Sequence, residues 1–325
     1  MTTGDTTDGL IVGVDGGGSK THAVAVTLAG ELVGRGEGPG SSPHIVGIER
    51  SVEIVDAAVR EALGGASAAQ VDVYLSGLDL DSEVDAYAEA IAPREWARPG
   101  TVVKNDLWAL LRAGTQAADA VAIVCGTGIN AVGVRADGAT ARFAALGPIS
   151  GDWGGGSGLG EEALWHAARA EDGRGPATAL RASVLEGMGV ATVRELTEDL
   201  HFGRRMLPDL AMLAPAVFAA ARNGDVIAGA IVDRQAAEVV SFARAALTRL
   251  DLLERDVPIV LGGGVIRARD ERLLEGISAG LLTDAPHAHV VILDLPPIVG
   301  AGLLALENAG ATPDALTRAR KELSK

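Results

Sequence analysis

A glycine-bearing turn between two apolar segments occurs twice in this chain of 325 residues. That repetition constrains its fold more than any other feature. Leu10–Asp15 leads into Gly16–Thr21 and then His22–Val26, while Ala120–Cys125 leads into Gly126–Asn130 and then Ala131–Val134. Each copy reads as a strand, a tight turn rich in glycine and hydroxyls, and a returning strand. A second turn and another strand follow each, at Leu28–Glu31 and at Ala136–Gly138. The duplication predicts two similar lobes facing each other. Their turns would offer backbone N–H groups to the two ends of a polyphosphate chain.

The length suits two domains with separate cores, and the absence of a low-complexity linker makes the boundary near residue 115 a hinge. Hydrophobic residues make up 48% but aromatics only 3%, so the cores must be built from Ala, Val, Leu and Ile. Residues 1–8 are polar and are predicted to be disordered. Gly36–His44 reads as a ligand-facing loop, and a helix over about Glu49–Leu63 carries Val52, Val55, Ala58 and Val59 on one stripe. Strands Val71–Leu75 and Val102–Lys104 follow, the latter ending at Asn105 and Asp106 before a helix from Leu107. Alternating strands and helices predict an α/β fold with a largely parallel sheet covered on both faces. Beyond the glycine-dense loop Gly147–Gly158 the pattern turns helical, over Glu161–Ala170, Ala177–Glu186, Thr192–Leu200 and Leu207–Ala221. The longest helix starts near Asp225 as N-cap, with Ile227, Ile231, Val239, Ala243 and Leu247 on one face. Strands Pro258–Leu261 and Val290–Leu293 precede two closing helices.

A net charge of −15 argues against nucleic acid and against an anionic membrane surface as partners. The one cysteine, Cys125, excludes internal disulfides and a structural cysteine-rich metal site; inside an apolar strand it reads as a small buried hydrophobe. No signal-peptide pattern precedes the first strand and no apolar run approaches membrane-spanning length, so a soluble cytoplasmic protein is expected. The oligomeric state is left open, with a homodimer among the alternatives.

Three glycine clusters follow apolar strands: Gly16–Gly18, Gly126–Gly128 and Gly262–Gly264. None has the spacing of a Walker A loop or of a dinucleotide-binding G-x-G-x-x-G turn. A single cluster reads as no more than a tight hairpin. Three of them, two carrying hydroxyls, point to phosphate and nucleotide contact, with Ser19, Lys20, Thr21 and Thr127 as added donors. Lys20 also supplies a cation that an acidic protein needs near phosphates, although a solvated turn lysine is an equal reading.

Asp15–Thr21 resembles the first phosphate motif of the superfamily of acetate and sugar kinases, heat-shock ATPases and actin. Gly126–Asn130 resembles its second phosphate motif, and Leu261–Val265 its adenosine motif. Within that superfamily the chain resembles the BadF/BadG ATPase group, particularly its N-acetylglucosamine kinases, through Ser76–Gly77, Asp106, Asp152–Gly154 and Pro296–Ala301. The resemblance implies two ribonuclease-H-like domains closing over ATP–Mg²⁺ and a sugar. They would be residues 1–115, with a C-terminal helix of about 312–325 packing back on them, and residues 116–311 with a helical insertion over 160–250. It implies nucleotide contact by Gly16, Gly17, Gly18, Ser19, Lys20, Thr21, Gly126, Thr127, Gly128, Gly262, Gly263 and Gly264. Asp15 would hold the Mg²⁺ hydration shell. Ser76, Gly77, Asp106, Thr127, Asn130, Asp152, Trp153 and Gly154 would line the sugar, with Asp106 as the catalytic base. Phosphoryl transfer leaves a carboxylate little to do beyond orienting the hydroxyl and taking its proton late. The local alternative for Asp106 is a helix N-cap, and the two roles are compatible.

Two sugar-facing stretches depart from the family pattern. Leu159 stands where a GlyAspGluGlySer motif would place its Asp, leaving Asp152, Glu161 or Glu162 as substitutes; the two glutamates also read as first-turn residues favoured by the helix dipole. Ser42, Pro43 and His44 occupy the loop where a sugar-binding Asn is expected. An ATP-dependent amino-sugar kinase is therefore the leading expectation, with a kinase for another hexose or a cyclitol beside it. A non-catalytic sensor on the same scaffold is a third reading, against which Asp15, Asp106 and the glycine motifs speak. An iron–sulfur activator of a radical dehydratase is disfavoured by the single cysteine.

Overall fold

The computed structural model describes residues 9–325; the segment 1–8, expected to be disordered, lies outside the described residues. The chain divides into two units. One runs to Gln116 and resumes at Leu293–Lys325, and the other is Ala117–Ile292.

The first unit contains strands β1 (Leu10–Gly16), β2 (Lys20–Val26), β3 (Leu32–Pro39), β4 (Ala68–Leu75) and β5 (Val102–Asn105). They form one sheet in the order β3-β2-β1-β4-β5. The second contains β6 (Ala120–Cys125), β7 (Ile129–Val134), β8 (Thr140–Arg142), β9 (Pro258–Gly262) and β10 (His289–Ile292), in the order β10-β9-β6-β7-β8. Read from β8, the second order repeats the first strand for strand, so the duplication extends from the turn to the whole sheet. The sheets are mixed rather than largely parallel: β1-β2-β3 and β6-β7-β8 pair antiparallel, whereas β4, β5, β9 and β10 pair parallel. Short glycine turns can join only antiparallel neighbours, and the parallel strands arrive through helical crossovers.

Both faces of the first sheet are buried, and β1 shows how. Val12 and Val14 enter a core with Val52, Val55, Ala58 and Val59 of helix Ile48–Leu63. Ile11 enters the opposite core with Ile298, Val299 and Leu303 of helix Pro297–Asn308. On that same face a Cβ on Gly13 would lie 2.5 Å from the Ala301 backbone, so glycine admits the helix directly onto the strand. This packing places Leu293–Lys325 with the first unit. The boundary thus falls before helix Pro297–Asn308 instead of after it at residue 311, as the sequence led us to expect.

In the second unit, helices Gly155–Asp172, Leu180–Met188, Val193–His201, Ala214–Arg222 and Val226–Arg249 lie between β8 and β9. Asp225 caps the last of these by accepting the Ala228 amide. The segment expected as one helix over Leu207–Ala221 is a 3₁₀ segment, Leu207–Leu213, followed by Ala214–Arg222. Pro215 has no N–H to continue a helix arriving from upstream, and its ring crowds the preceding turn. Among the described residues no single helix is long and apolar enough to cross a membrane.

Candidate active site

Strands β1, β4 and β5 are parallel neighbours in register: Gly16 lies opposite Leu75, and Leu75 opposite Asn105. Their C-terminal ends therefore deliver Asp15, Ser76 and Asp106 to one edge of the sheet, the position where open α/β sheets bind ligands. Backbone bonds fix this edge, from Ser76 N to Gly16 O (2.9 Å) and from Asp106 N to Leu75 O (3.2 Å).

Asp106 sits at the N-cap position of helix Leu107–Gly114 but makes no side-chain capping bond. Asn105 takes that task, its Oδ1 accepting the Leu107 amide at 3.0 Å. Asp106 thus holds the N-cap position without a side-chain capping bond. Burial pushes the Asp106 carboxyl up to about 8, and repulsion from Asp15 and Asp79 adds to the effect. Burial likewise pushes Asp15 up to about 7. Neither forms an ion pair with a basic group among the described residues. Two partly buried carboxylates without a cation are costly unless a ligand or metal supplies one.

The first glycine turn joins β1 to β2 and is closed by Gly17 N donating to Lys20 O at 2.9 Å. Gly18, Ser19 and Lys20 are exposed. Gly16 is different: a Cβ there would stand 2.3 Å from Ser41 Oγ and from Leu75 Cδ2. Thr21 does not offer its hydroxyl outward as expected. It is fully buried, with Oγ1 2.7 Å from both Pro39 O and Ser41 Oγ. Its role is to tie the turn to the end of β3.

In the second unit three glycine segments meet. The β6–β7 turn is closed by Gly126 N donating to Gly128 O (2.9 Å), with Thr127 and Gly128 exposed. The Gly126 and Thr127 carbonyls accept the amides of Gly156 (2.8 Å) and Ser157 (2.9 Å). Gly155, at φ +68°, would place a Cβ 2.4 Å from Gly128 O, and Gly263, at φ +94°, would place one 2.2 Å from Cys125 O. Only residues without side chains allow these backbones to touch. Helix Gly155–Asp172 accordingly starts inside the stretch expected to be loop, at Gly155 instead of Glu161. Gly262 ends β9, and exposed Gly264 opens the single-turn helix Gly264–Arg267. Asn130 lies on β7, its Oδ1 2.6 Å from the Ala131 amide. Cys125 is buried, and burial pushes its thiol up to about 12, as suits an inert core residue.

Asp152, Trp153 and Gly154 form the lead-in to helix Gly155–Asp172. Asp152 is almost fully buried. Its Oδ2 accepts the Gly147 amide at 2.9 Å and its Oδ1 accepts the Ser150 hydroxyl in a short bond. The Trp153 ring packs against Gly158, and the Arg234 guanidinium stands 3.8 Å from the ring centroid. Leu159 is fully buried in the core of this unit. A carboxylate at that helix position would point into the core. Glu162 is held by Arg234 at 2.6 Å and by His166 at 3.7 Å, and Glu161 is exposed.

Gln235 was not singled out from the sequence. It is fully buried, its Oε1 accepts the Gly155 amide at 2.8 Å, and its Nε2 has no partner. The available signal was a polar residue on the same helical face as Ile231 and Val239.

Two copies of one five-stranded sheet, each with glycine turns at its strand ends, define the actin-like ATPase fold. Residues 12–305 match the model of the BadF/BadG/BcrA/BcrD ATPase family, and the chain belongs to that family. It is 29% identical over 315 residues to an N-acetyl-D-glucosamine kinase of Dictyostelium discoideum, covering 92% of this chain and 98% of that one. Among solved structures, a Chromobacterium violaceum protein provisionally designated an N-acetylglucosamine kinase is similar with TM-score 0.70 at 24% identity, covering 92% of this chain and 99% of that one. A Streptomyces griseus ROK family glucokinase, solved with glucose and AMPPNP, is similar with TM-score 0.55 at 20% identity, covering 93% and 99%.

Proposed function

We propose that this protein is an ATP-dependent carbohydrate kinase that phosphorylates a hydroxyl of an amino sugar such as N-acetylglucosamine or glucosamine. The observation that carries the reading is Asp106. It is an uncapped, cation-free carboxylate at the ligand edge of the first sheet, beside Asp15 and Ser76. The family membership and the Dictyostelium relative support the same chemistry.

In the reaction the acceptor oxygen bonds to the γ-phosphorus of ATP as the bond to the β–γ bridging oxygen breaks, and ADP leaves. Asp106 accepts a hydrogen bond from the acceptor hydroxyl, orients it, and takes its proton late in the transfer. The amides of the glycine turns, with Ser19, Lys20 and Thr127, bind phosphate oxygens. Asp152 and Asn130 supply hydrogen-bonding groups suited to a sugar. Asp15 fits Mg²⁺, being a hard oxygen donor without a basic partner; the ion would screen the charge that develops on the phosphates.

A coupled assay of ADP release across amino sugars, hexoses and cyclitols tests the reading. We expect turnover that depends on Mg²⁺ and on an amino sugar. Turnover with another hexose or a cyclitol alone would refute the substrate assignment, and none with any sugar would refute the kinase.

A further inference from the structure

The first unit holds a polar cluster that the phosphate turns do not use. Glu83, in the first turn of helix Asp81–Ile91, accepts the Asp79 and Leu80 amides with Oε2, both at 2.9 Å. Its Oε1 pairs with His44 Nε2 at 2.7 Å. Partial burial acts to raise the Glu83 carboxyl, but the Leu80 amide, His44 and the Asp79 amide outweigh it and hold it below its usual value. Glu83 is thus an anchored anion that fixes the imidazole by one nitrogen.

The other nitrogen faces Gly77. A Cβ on Gly77 would stand 3.3 Å from His44 Nδ1 and 2.8 Å from Ser42 Oγ. Next to it, the Ser76 hydroxyl is buried without a hydrogen-bond partner. An orphaned hydroxyl costs about 1–3 kcal/mol, so a bond from a ligand to Ser76 would be favourable. The cluster is continuous with the reacting edge: Asn105, which precedes Asp106, donates from Nδ2 to Asp79 Oδ1 at 2.9 Å.

His44, Asp79 and Glu83 could in principle gather a cation, since their ligand atoms lie within 4.8 Å of one another. Both Glu83 oxygens already hold partners, however, and a metal would have to displace them. With Nε2 paired to Glu83, Nδ1 is the ring nitrogen left for a ligand.

We infer that His44 is the residue that selects the acceptor, its Nδ1 hydrogen-bonding one sugar hydroxyl beside Ser42, Ser76 and Gly77. Glu83 is its positioning residue. The inference rests on the sugar-kinase reading above. His44 is accessible, its side chain 42% exposed, and any side chain at position 77 would crowd its ring.

The test is acceptor kinetics of the whole protein with its best sugar and the monodeoxy analogues of that sugar, with ATP kinetics measured alongside. His44→Ala should lower acceptor kcat/KM by roughly ten- to a hundredfold and leave ATP KM in place. Wild type should lose a similar factor against one monodeoxy analogue, and His44→Ala should no longer distinguish that analogue from the parent sugar. His44→Gln, which keeps a hydrogen-bonding group, should recover part of the loss, and Glu83→Gln should show a smaller loss against the same analogue. If His44→Ala discriminates the analogues as wild type does, the assignment is wrong while the kinase stands. If wild type phosphorylates no sugar, the kinase reading fails first and the assignment with it.

Discussion

Gly300 lies so close to Ala109 that a Cβ built on it would stand 1.8 Å from the Ala109 carbonyl oxygen. Ala109 belongs to helix Leu107–Gly114, which starts directly after Asp106, so the crossing fixes the helix that carries the candidate base. Alanine is favoured over glycine inside a helix by about 1 kcal/mol. Overpacking against a backbone atom costs typically about 1–3 kcal/mol, and no rotamer change can relieve it. Gly300→Ala should therefore lower the melting temperature and reduce kcat. A more stable variant would disprove the crossing as described.

Asp106 ties activity to pH-dependent stability in opposite senses. Its carboxyl is raised to about 8 in the folded protein, against about 3.9 in an unfolded chain. The folded state thus holds the proton more tightly, and this contribution is present below pH 4 and lost as pH rises through 8. Asp106→Asn removes the charge. In ligand-free protein its stability relative to wild type should grow from pH 5 to pH 9, while turnover falls by about 10²–10⁴. Denaturant titrations at several pH values, with the ADP assay, check both. A constant stability difference across that range would rule out the raised carboxyl.

Thr21 separates a structural role from a ligand role. Thr21→Val keeps the shape but strands Ser41 Oγ and Pro39 O, at a cost of about 1–3 kcal/mol. Thr21→Ser should restore most of it. ATP KM measured well below the melting temperature should stay near wild type in both. A large rise in ATP KM for Thr21→Val alone would return the hydroxyl to the phosphates.

Asp152→Ala should act on the acceptor side. It removes the acceptor for the Gly147 amide and the Ser150 hydroxyl and the carboxylate of that loop together. We expect acceptor KM to rise by roughly ten- to a hundredfold, with ATP KM much less affected. Equal effects on both substrates would place Asp152 outside acceptor binding.

The strand–turn–strand units, the long helix capped by Asp225 and the apolar stripe of helix Ile48–Leu63 were legible because local pattern and tertiary packing agree there. Helix Gly155–Asp172 was not. Its first turns contain Gly155, Gly156, Gly158 and Gly160, each about 1 kcal/mol less favourable than alanine in a helix interior. Close approach decides the matter: a Cβ on Gly160 would lie 1.9 Å from the Leu210 carbonyl oxygen. Leu159, aligned in sequence with a sugar-binding Asp of the family, lies in the core of this helix's packing. Gln235 and the His44–Glu83 pair depend on residues 80 and 39 positions apart, and no local pattern carries that information.

The first unit is completed by the far end of the chain, since helix Pro297–Asn308 covers one face of its sheet. Synthesis runs from the N-terminus, and domains tend to fold as they emerge. The later-encoded unit, Ala117–Ile292, is therefore the first to have all its residues outside the ribosome. The first unit waits, with one side of β1 uncovered, until helix Pro297–Asn308 has emerged as well.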